Sequence, residues 1–277
     1  MPRTMLNGVS FNYESDGDGF PLVLLHGFTG SASTWRPLVA ACPGFRTIAV
    51  DLIGHGATES PRHEARYTME HCTADLVGLL DALRVDRAAV LGYSMGGRVA
   101  LQLALTAPER VAALILVSAA TGVEDADERR ARVASDRALA DDIERDGVEV
   151  FVDRWEQLPM WATQARLPAP AHAALREQRL RSSTVGLANS LRGMGAGAQG
   201  PVLDRVRQLR MPVLLVAGQE DAKYQAIARA IHERIPGSRA AVIEGAGHAV
   251  HLEQPAAFVL SVKEFLSSCL SPSHPRA

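Results

Sequence analysis

Cysteine is scarce in this sequence of 277 residues, which contains only Cys42, Cys72 and Cys269. Their spacing fits no common metal or redox motif, and an odd number of thiols leaves one without a partner. The composition therefore argues against a disulfide framework and favours a reducing compartment. We interpret the three side chains as small apolar residues of the interior.

Long apolar runs are absent as well. No stretch approaches the roughly 18 apolar residues that a membrane-spanning helix requires. The first residues also lack the apolar region of a signal peptide. We therefore expect a soluble, cytoplasmic protein that has no membrane partner.

An excess of either charge is missing too, because 29 basic residues stand against 31 acidic ones and the net charge is −2. This balance gives no overall attraction to nucleic acid, so we expect no nucleic-acid partner and only local recognition of anions. The hydrophobic content of 47% suffices for one sizeable core. A monomer and a homo-oligomer are both compatible with these values.

Short apolar runs bounded by turn residues recur along the chain and are typical of buried strands. They occupy residues 9–14, 22–25, 47–50, 88–91, 113–117, 213–217 and 241–243. Helical patterns lie between them, at residues 68–83, 95–106, 222–235 and 255–270. This alternation predicts an α/β fold with a mainly parallel sheet flanked by helices and an antiparallel pair at its start.

The alternation stops between residues 122 and 205, where charged helical segments replace it. This stretch is too long for a plain loop. We therefore expect a helical lid at 122–205, inserted between a first core segment at 1–121 and a second at 206–270. Residues 271–277 are predicted to form a disordered tail.

Ser94 lies in the sequence Gly92-Tyr93-Ser94-Met95-Gly96, between a predicted strand and a predicted helix. A nucleophile elbow needs this context, and its glycines prevent collisions between the crowded backbone segments. The alternative is an ordinary glycine-rich turn that ends in serine. The strand and helix on either side favour the elbow.

An activated serine needs a histidine and an orienting carboxylate, which should follow it in the order Asp, His. Asp221 and His248 stand after two later strands, and parallel strands bring such loops to one edge of the sheet. Glu220 is a rival acid. His251 could form a metal pair with His248, but no third ligand has a convincing spacing, and we expect no metal.

The backbone amides of Met95 and Phe28 are expected to form the oxyanion hole. Phe28 belongs to His26-Gly27-Phe28, directly after the second strand. His26 is interpreted as a structural residue that makes hydrogen bonds beside the strand end. The segment 51–56 is interpreted as a structural loop.

Together, the elbow, His26-Gly27-Phe28, the segment 51–56 and Gly247-His248 resemble the α/β-hydrolase superfamily over nearly the whole chain. A finer resemblance is to the 2-succinyl-6-hydroxy-2,4-cyclohexadiene-1-carboxylate synthases of the menaquinone pathway. Those lyases of the same fold remove pyruvate from a substrate that carries several carboxylates. The finer resemblance rests on the arginine at position 98, the segments 129–137, 153–155 and 180–182, and the loops around Asp221 and His248.

The resemblance implies a site for a small polyanionic carboxylate and needs no cofactor. Arg98, Arg132 and Arg181 would bind the carboxylates, with Tyr93 and Trp155 also contacting the substrate. Guanidinium groups suit this role because they are planar, always charged and able to bind a carboxylate through two hydrogen bonds.

Two reactions stay open for the same triad. In the lyase hypothesis, Ser94 acts as a base on 2-succinyl-5-enolpyruvyl-6-hydroxy-3-cyclohexene-1-carboxylate, and pyruvate is eliminated. In the hydrolase hypothesis, Ser94 attacks an ester, a thioester or a C–C bonded diketone as a covalent nucleophile. A non-catalytic ligand receptor is a third alternative.

Overall fold

A single sheet of eight strands organises the computed structural model, which describes residues 2–270. The strands are β1 (Arg3–Leu6), β2 (Val9–Asp16), β3 (Phe20–Leu25), β4 (Phe45–Val50), β5 (Ala88–Tyr93), β6 (Val111–Val117), β7 (Val213–Gly218) and β8 (Arg239–Ile243). Their order in the sheet is β1-β2-β4-β3-β5-β6-β7-β8. Strand β2 pairs antiparallel with both β1 and β4, and the other five pairings are parallel, so the predicted α/β fold is confirmed.

Helices cover both faces of this sheet. They are α1 (Arg36–Ala41), α2 (Met69–Ala82), α3 (Met95–Thr106), α4 (Ala126–Trp155), α5 (Ala169–Leu180), α6 (Thr184–Met194), α7 (Ala222–His232), α8 (Val250–Glu253) and α9 (Pro255–Leu270). Helices α2 and α3 pack their apolar side chains on one face, and α1 and α9 pack on the other. Because both faces are covered, the central strands are continuous apolar runs, and every residue of β6 is buried.

Between β6 and β7 the chain forms α4, α5, α6 and a 3-10 helix at Pro159–Arg166. We call residues 122–205 the inserted segment. Helix α4 is interrupted at Gly147, whose φ of 84° and ψ of 170° are not helical. Apolar side chains of α4 and α6 form a cluster of their own that packs against Phe28 of the core. The segment is helical as expected, and its action as a lid stays a prediction.

Most predicted elements differ from the observed ones by one to three residues at an end, and one strand was not predicted at all. Strand β1 was not predicted, because only one of its four residues is buried and the segment therefore contains no apolar run. Helix α7 ends three residues before the predicted end, at His232. The predicted tail at 271–277 lies outside the described residues. No helix among residues 2–270 is long and apolar enough to cross a membrane.

Candidate active site

Ser94 occupies a strained turn between β5 and α3. Its φ of 51° and ψ of −109° lie in a region that side chains other than glycine rarely adopt. A Cβ atom on Gly92 would lie 2.2 Å from the carbonyl oxygen of Gly96, and one on Gly96 would lie 2.3 Å from that of Leu25. Only glycine fits at these two positions, so the turn has the crowded geometry expected of a nucleophile elbow.

A continuous hydrogen-bonded chain joins the three predicted catalytic side chains. The Nδ1 atom of His248 lies 2.8 Å from Oδ2 of Asp221, and its Nε2 atom lies 3.0 Å from Oγ of Ser94. The Asp221 carboxylate also accepts the Tyr224 amide, which fixes its orientation. With Nδ1–H donated to the carboxylate, Nε2 is left to accept the serine proton. The structure therefore brings these residues together in the geometry of a triad.

The two residues predicted to supply oxyanion amides both line the cavity in front of Ser94. Met95 is the first residue of α3, where a backbone N–H has no acceptor within the helix. Phe28 follows β3 and packs its ring edge-on against Trp155 at 5.5 Å between centroids. Their role as an oxyanion hole stays a prediction.

The other histidines near the site have structural surroundings. His26 donates from Nδ1 to the Gly27 carbonyl oxygen and accepts the Leu52 amide at Nε2. Burial lowers the pKa of His26 to about 4. His251 is enclosed by Trp35 and Tyr93, and burial lowers its pKa to about 3. Both rings are therefore neutral at neutral pH, and neither contacts the Ser94 hydroxyl.

A cavity of about 370 Å³ opens in front of the triad. The core and the inserted segment both contribute to its lining. From the core come Phe28, Tyr93, Ser94, Met95, Arg98, Glu220, Asp221, Lys223, Tyr224, Gly247 and His248. From the inserted segment come Arg132, Asp136, Leu139, Trp155, Pro159, Met160, Trp161, Thr163, Ser190, Leu191, Met194, Gly195 and Ala196.

Aromatic rings surround His248. The Tyr93 and Tyr224 rings lie 5.4 and 4.5 Å from the imidazole, and Trp161 lies 5.5 Å away on the side of the inserted segment. Burial raises the pKa of both tyrosines, so their hydroxyls stay protonated. The sequence predicted a role for Tyr93 but none for Trp161, because its place beside His248 depends on how the inserted segment folds over the core.

Arg98 is a buried cation that faces this cavity. The residue is 7% exposed, and its Nη1 atom donates to the Gly195 carbonyl oxygen and to Oε1 of Gln199, both at 3.3 Å. Both acceptors are neutral, and within residues 2–270 no carboxylate forms an ion pair with this guanidinium. Burial lowers the pKa of Arg98 to about 10, which still leaves the group charged at neutral pH.

Arg132 extends into the same cavity from α4. Its Nε atom donates to Oδ1 of Asp136 at 2.8 Å, one turn further along the helix. Its side chain is 45% exposed, whereas that of Asp136 is 6% exposed. The cavity therefore contains Arg98 and Arg132 as predicted, together with an acidic residue that the sequence did not single out.

The structure does not place Arg181 in this cavity. Its side chain is 75% exposed, pairs with Glu177 and lines a separate surface groove. The inward arginine of α5 is Arg179, which is 3% exposed and has its guanidinium carbon 5.5 Å from the Trp161 ring centre. Arg181 was wrongly placed because it follows Arg179 by two residues, which is about 200° around a helix, so the two side chains point to opposite sides of α5.

Helical spacing could have indicated Arg179. It follows Leu175 by four residues and His172 by seven, so the three side chains lie on one stripe of α5. Arg179 also donates to Glu156 at 3.0 Å and to Gln164 at 3.1 Å. These contacts connect α5 to the wall of the cavity.

A metal site is not apparent in the part of the chain that the structure describes. Within residues 2–270, no group of three His, Cys, Asp or Glu side chains is arranged to hold a metal ion. The rival carboxylate, Glu220, pairs with Arg166 at 2.8 Å. Asp221 is therefore the acid that orients His248.

The sequence and the fold of this chain are similar to those of known proteins. Residues 21–255 match the α/β hydrolase fold family. The chain belongs to the α/β-hydrolase family. A Bacillus subtilis protein, provisionally named as a 2-succinyl-6-hydroxy-2,4-cyclohexadiene-1-carboxylate synthase, is 43% identical over 96% of this chain and 97% of its own length.

Solved structures agree with this assignment. The structure of MenH from S. aureus superposes with a TM-score of 0.89 at 31% identity, covering 92% of this chain and 98% of that one. The enol-lactonase from Burkholderia xenovorans has a TM-score of 0.83 at 27% identity, over 96% and 100% of the two chains. The resemblance to the synthases that the sequence indicated is therefore confirmed, and the chain is an enzyme of the α/β-hydrolase fold.

Proposed function

We propose that this enzyme is a lyase of menaquinone biosynthesis. It would eliminate pyruvate from 2-succinyl-5-enolpyruvyl-6-hydroxy-3-cyclohexene-1-carboxylate to give 2-succinyl-6-hydroxy-2,4-cyclohexadiene-1-carboxylate. The name of the Bacillus subtilis relative supports this reaction, as does the S. aureus MenH structure. In this proposal the substrate is a small polyanionic carboxylate, and the inserted segment acts as a lid over it.

Arg98 is the observation that supports this proposal most strongly. A buried charge without a counter-charge costs several kcal/mol relative to the same charge in water. Here the guanidinium has two neutral partners and lines the cavity of Ser94. A substrate carboxylate would compensate that charge, whereas a neutral ester would not. The site is therefore better matched to an anion.

In the proposed mechanism, His248 takes the Ser94 proton while Asp221 holds the imidazole in the productive tautomer. The serine oxygen then removes a proton from the substrate ring. As the new ring double bond forms, the C–O bond to the enolpyruvyl group breaks and pyruvate leaves as its enolate. The Phe28 and Met95 amides would stabilise the developing negative charge, a role worth about 3 kcal/mol for each donor.

Aromatic walls would support this chemistry by excluding water. Trp155 and Trp161 lie on the side of the inserted segment, and their rings are 5.7 Å apart. With Phe28 they form an aromatic wall beside the catalytic histidine. Water exclusion strengthens the attraction between the arginines and the substrate carboxylates, and it suppresses hydrolysis as a competing reaction.

A direct assay tests the lyase proposal. The unaltered enzyme is incubated with the pyruvyl-cyclohexene substrate, and released pyruvate is followed by its reduction with lactate dehydrogenase and NADH. We expect multiple turnovers of pyruvate, together with slow turnover of small neutral esters. Efficient ester hydrolysis without pyruvate release would contradict the proposal.

A serine hydrolase is the second candidate function, because the triad geometry also suits covalent catalysis. The 27% identity to an enol-lactonase favours this alternative over a non-enzymatic role. The two functions differ in the fate of Ser94. Mass spectrometry of the enzyme quenched during turnover would detect an acyl group on Ser94 only in the hydrolase.

A further inference from the structure

A short glycine-containing turn, residues 195–199, contacts the buried arginine of the core. We call it the glycine turn. Its first residue, Gly195, and its last, Gln199, both accept hydrogen bonds from Nη1 of Arg98 at 3.3 Å. Gln199 is 4% exposed, so this pairing is shielded from water. The turn therefore fixes where the Arg98 guanidinium lies.

The same turn contacts the acidic partner of the second arginine. The Gly197 amide lies 3.5 Å from Oδ2 of Asp136, whose other oxygen accepts from Nε of Arg132 at 2.8 Å. Among residues 2–270 no hydrogen bond engages the two terminal nitrogens of Arg132. Those two nitrogens can bind a carboxylate through two parallel hydrogen bonds.

Close packing makes this connection rigid. A Cβ atom on Gly195 would lie 2.5 Å from Oδ2 of Asp136, and one on Gly197 would lie 2.7 Å from the backbone nitrogen of Val133. Neither glycine leaves space for a side chain. The glycine turn therefore holds α4 at a fixed distance from Arg98.

Charge explains why Arg132 needs a partner. Arg98 and Arg132 carry like charges in one cavity. Burial lowers the pKa of Arg98 most, Arg132 lowers it further, and Tyr224 and Asp136 raise it. Because the Arg132 side chain is 45% exposed, repulsion would turn it towards solvent if nothing held it. Asp136 opposes that movement.

We propose that Asp136 is a positioning residue that holds Arg132 beside Arg98, and that the spacing so fixed selects substrates with two carboxylates over those with one. This inference rests on the proposed function, since it assumes an anionic substrate. Arg98 would bind one carboxylate wherever Arg132 lies. Arg132 would bind the second carboxylate only while Asp136 holds it in the cavity.

Binding titrations test this proposal without turnover. Trp155 and Trp161 line the cavity, so their fluorescence reports its occupation. The probes are the dicarboxylates from malonate to adipate, each compared with its monomethyl ester. We expect the unaltered enzyme to prefer one chain length. Asp136→Asn should weaken binding of that dicarboxylate about tenfold and change binding of its monoester by less than about twofold.

Two further variants serve as comparisons. Asp142→Asn is the matched control, because Asp142 lies on the same helix and pairs with Arg145 outside the cavity. Its titrations should match those of the unaltered enzyme. Gln199→Leu should weaken the dicarboxylate and the monoester alike, because Gln199 acts on Arg98.

A double-mutant cycle separates positioning from a general loss of structure. Arg132→Ala should lose as much dicarboxylate affinity as Asp136→Asn, and the double variant should lose no more than Arg132→Ala alone. Additive losses would contradict the proposal. Equal or tighter dicarboxylate binding by Asp136→Asn would overturn it as well, because Asp136 would then compete with the substrate.

A failure of the positioning role of Asp136 can be distinguished from a failure of the proposed lyase function. Absence of pyruvate release by the unaltered enzyme would reject the lyase reaction and leave these titrations interpretable. Conversely, pyruvate release with unchanged chain-length preference in Asp136→Asn would support the lyase and reject the role of Asp136.

Discussion

The core and the inserted segment hold their functional side chains by different means. In the core, backbone geometry places Ser94, because Gly92 and Gly96 allow contacts that no side chain would permit. In the inserted segment, side-chain ion pairs place the arginines, as Asp136 does for Arg132. Backbone contacts of this kind tolerate little change, whereas an ion pair with a half-exposed partner such as Arg132 contributes less to stability. The fold of the core therefore determines where Ser94 lies, whereas the position of Arg132 depends on a side-chain contact.

The largest predicted effect concerns the triad in the core. Ser94→Ala should lower kcat by about 10⁴- to 10⁶-fold, because His248 and Asp221 act through the serine oxygen. Steady-state kinetics and a thermal melt measure activity and folding separately. Ser33→Ala is the control, since that hydroxyl bonds to Gln178 in a separate surface groove. A substantial residual rate in Ser94→Ala would remove the serine from the mechanism.

Two glycine substitutions, one in the core and one in the inserted segment, should differ in their cost in unfolding free energy. Gly96→Ala should cost about 3 kcal/mol or more of unfolding free energy, because the new Cβ would lie 2.3 Å from a backbone oxygen. Gly147→Ala in α4 should cost less, about 1 to 2 kcal/mol, because its φ of 84° and ψ of 170° are unfavourable for alanine but no atom lies within 4 Å. Urea unfolding measures both values. Equal losses would contradict the contrast between the regions.

Stability should also depend on pH through the buried histidines of the core. Burial lowers the pKa of His251 from its ordinary value of 6.5 to about 3. Between these two pH values the histidine is protonated in the unfolded chain and neutral in the folded chain. The contribution of the neutral His251 to the free energy of unfolding is therefore fully present above pH 6.5. It is lost progressively as the pH drops towards 3. Between pH 7 and pH 5 this histidine alone should cost about 2 kcal/mol.

A variant isolates that contribution. His251→Phe should flatten the loss of stability between pH 7 and pH 5, and it sacrifices no hydrogen bond, because both ring nitrogens lack a partner within the described residues. Urea unfolding at the two pH values measures the change. The exposed His63 provides the control, since His63→Phe should leave the slope unchanged. An unaltered slope in His251→Phe would reject the assignment.

The smallest predicted effect concerns the exposed arginine of the inserted segment. Arg181→Ala should change kcat/KM by less than about twofold, because its side chain pairs with Glu177 in water. The assay uses the pyruvyl-cyclohexene substrate. A loss of activity as large as that caused by Arg179→Ala, which removes the buried arginine of α5, would show that Arg181 reaches the cavity during turnover.

The sequence predicted the core part of the site residue by residue. Ser94, Asp221 and His248 follow predictable strands, and the parallel arrangement brings strand ends to one edge of the sheet. The glycines on either side of Ser94 predicted the tight turn that its backbone forms. These features depend on local patterns and on chain order, which a single sequence displays.

Residues of the inserted segment were harder to predict. Arg181 was chosen from the resemblance of residues 180–182 to the synthases, although Arg179 is the buried arginine. Asp136 was missed although it follows Arg132 by four residues, a spacing at which side chains on a helix meet. Trp161 was missed because its place beside His248 depends on contacts between distant segments. Tertiary pairing of this kind leaves no period in the sequence.

One measurement tests the central claim, that an activated serine and a buried arginine act on an anionic substrate. Arg98→Ala should lower kcat/KM for the pyruvyl-cyclohexene substrate by about 100-fold or more, with a change of less than about threefold for p-nitrophenyl acetate. The ratio of the two losses cancels any general damage to the triad. Equal losses on both substrates would show that Arg98 is structural and would contradict the claim.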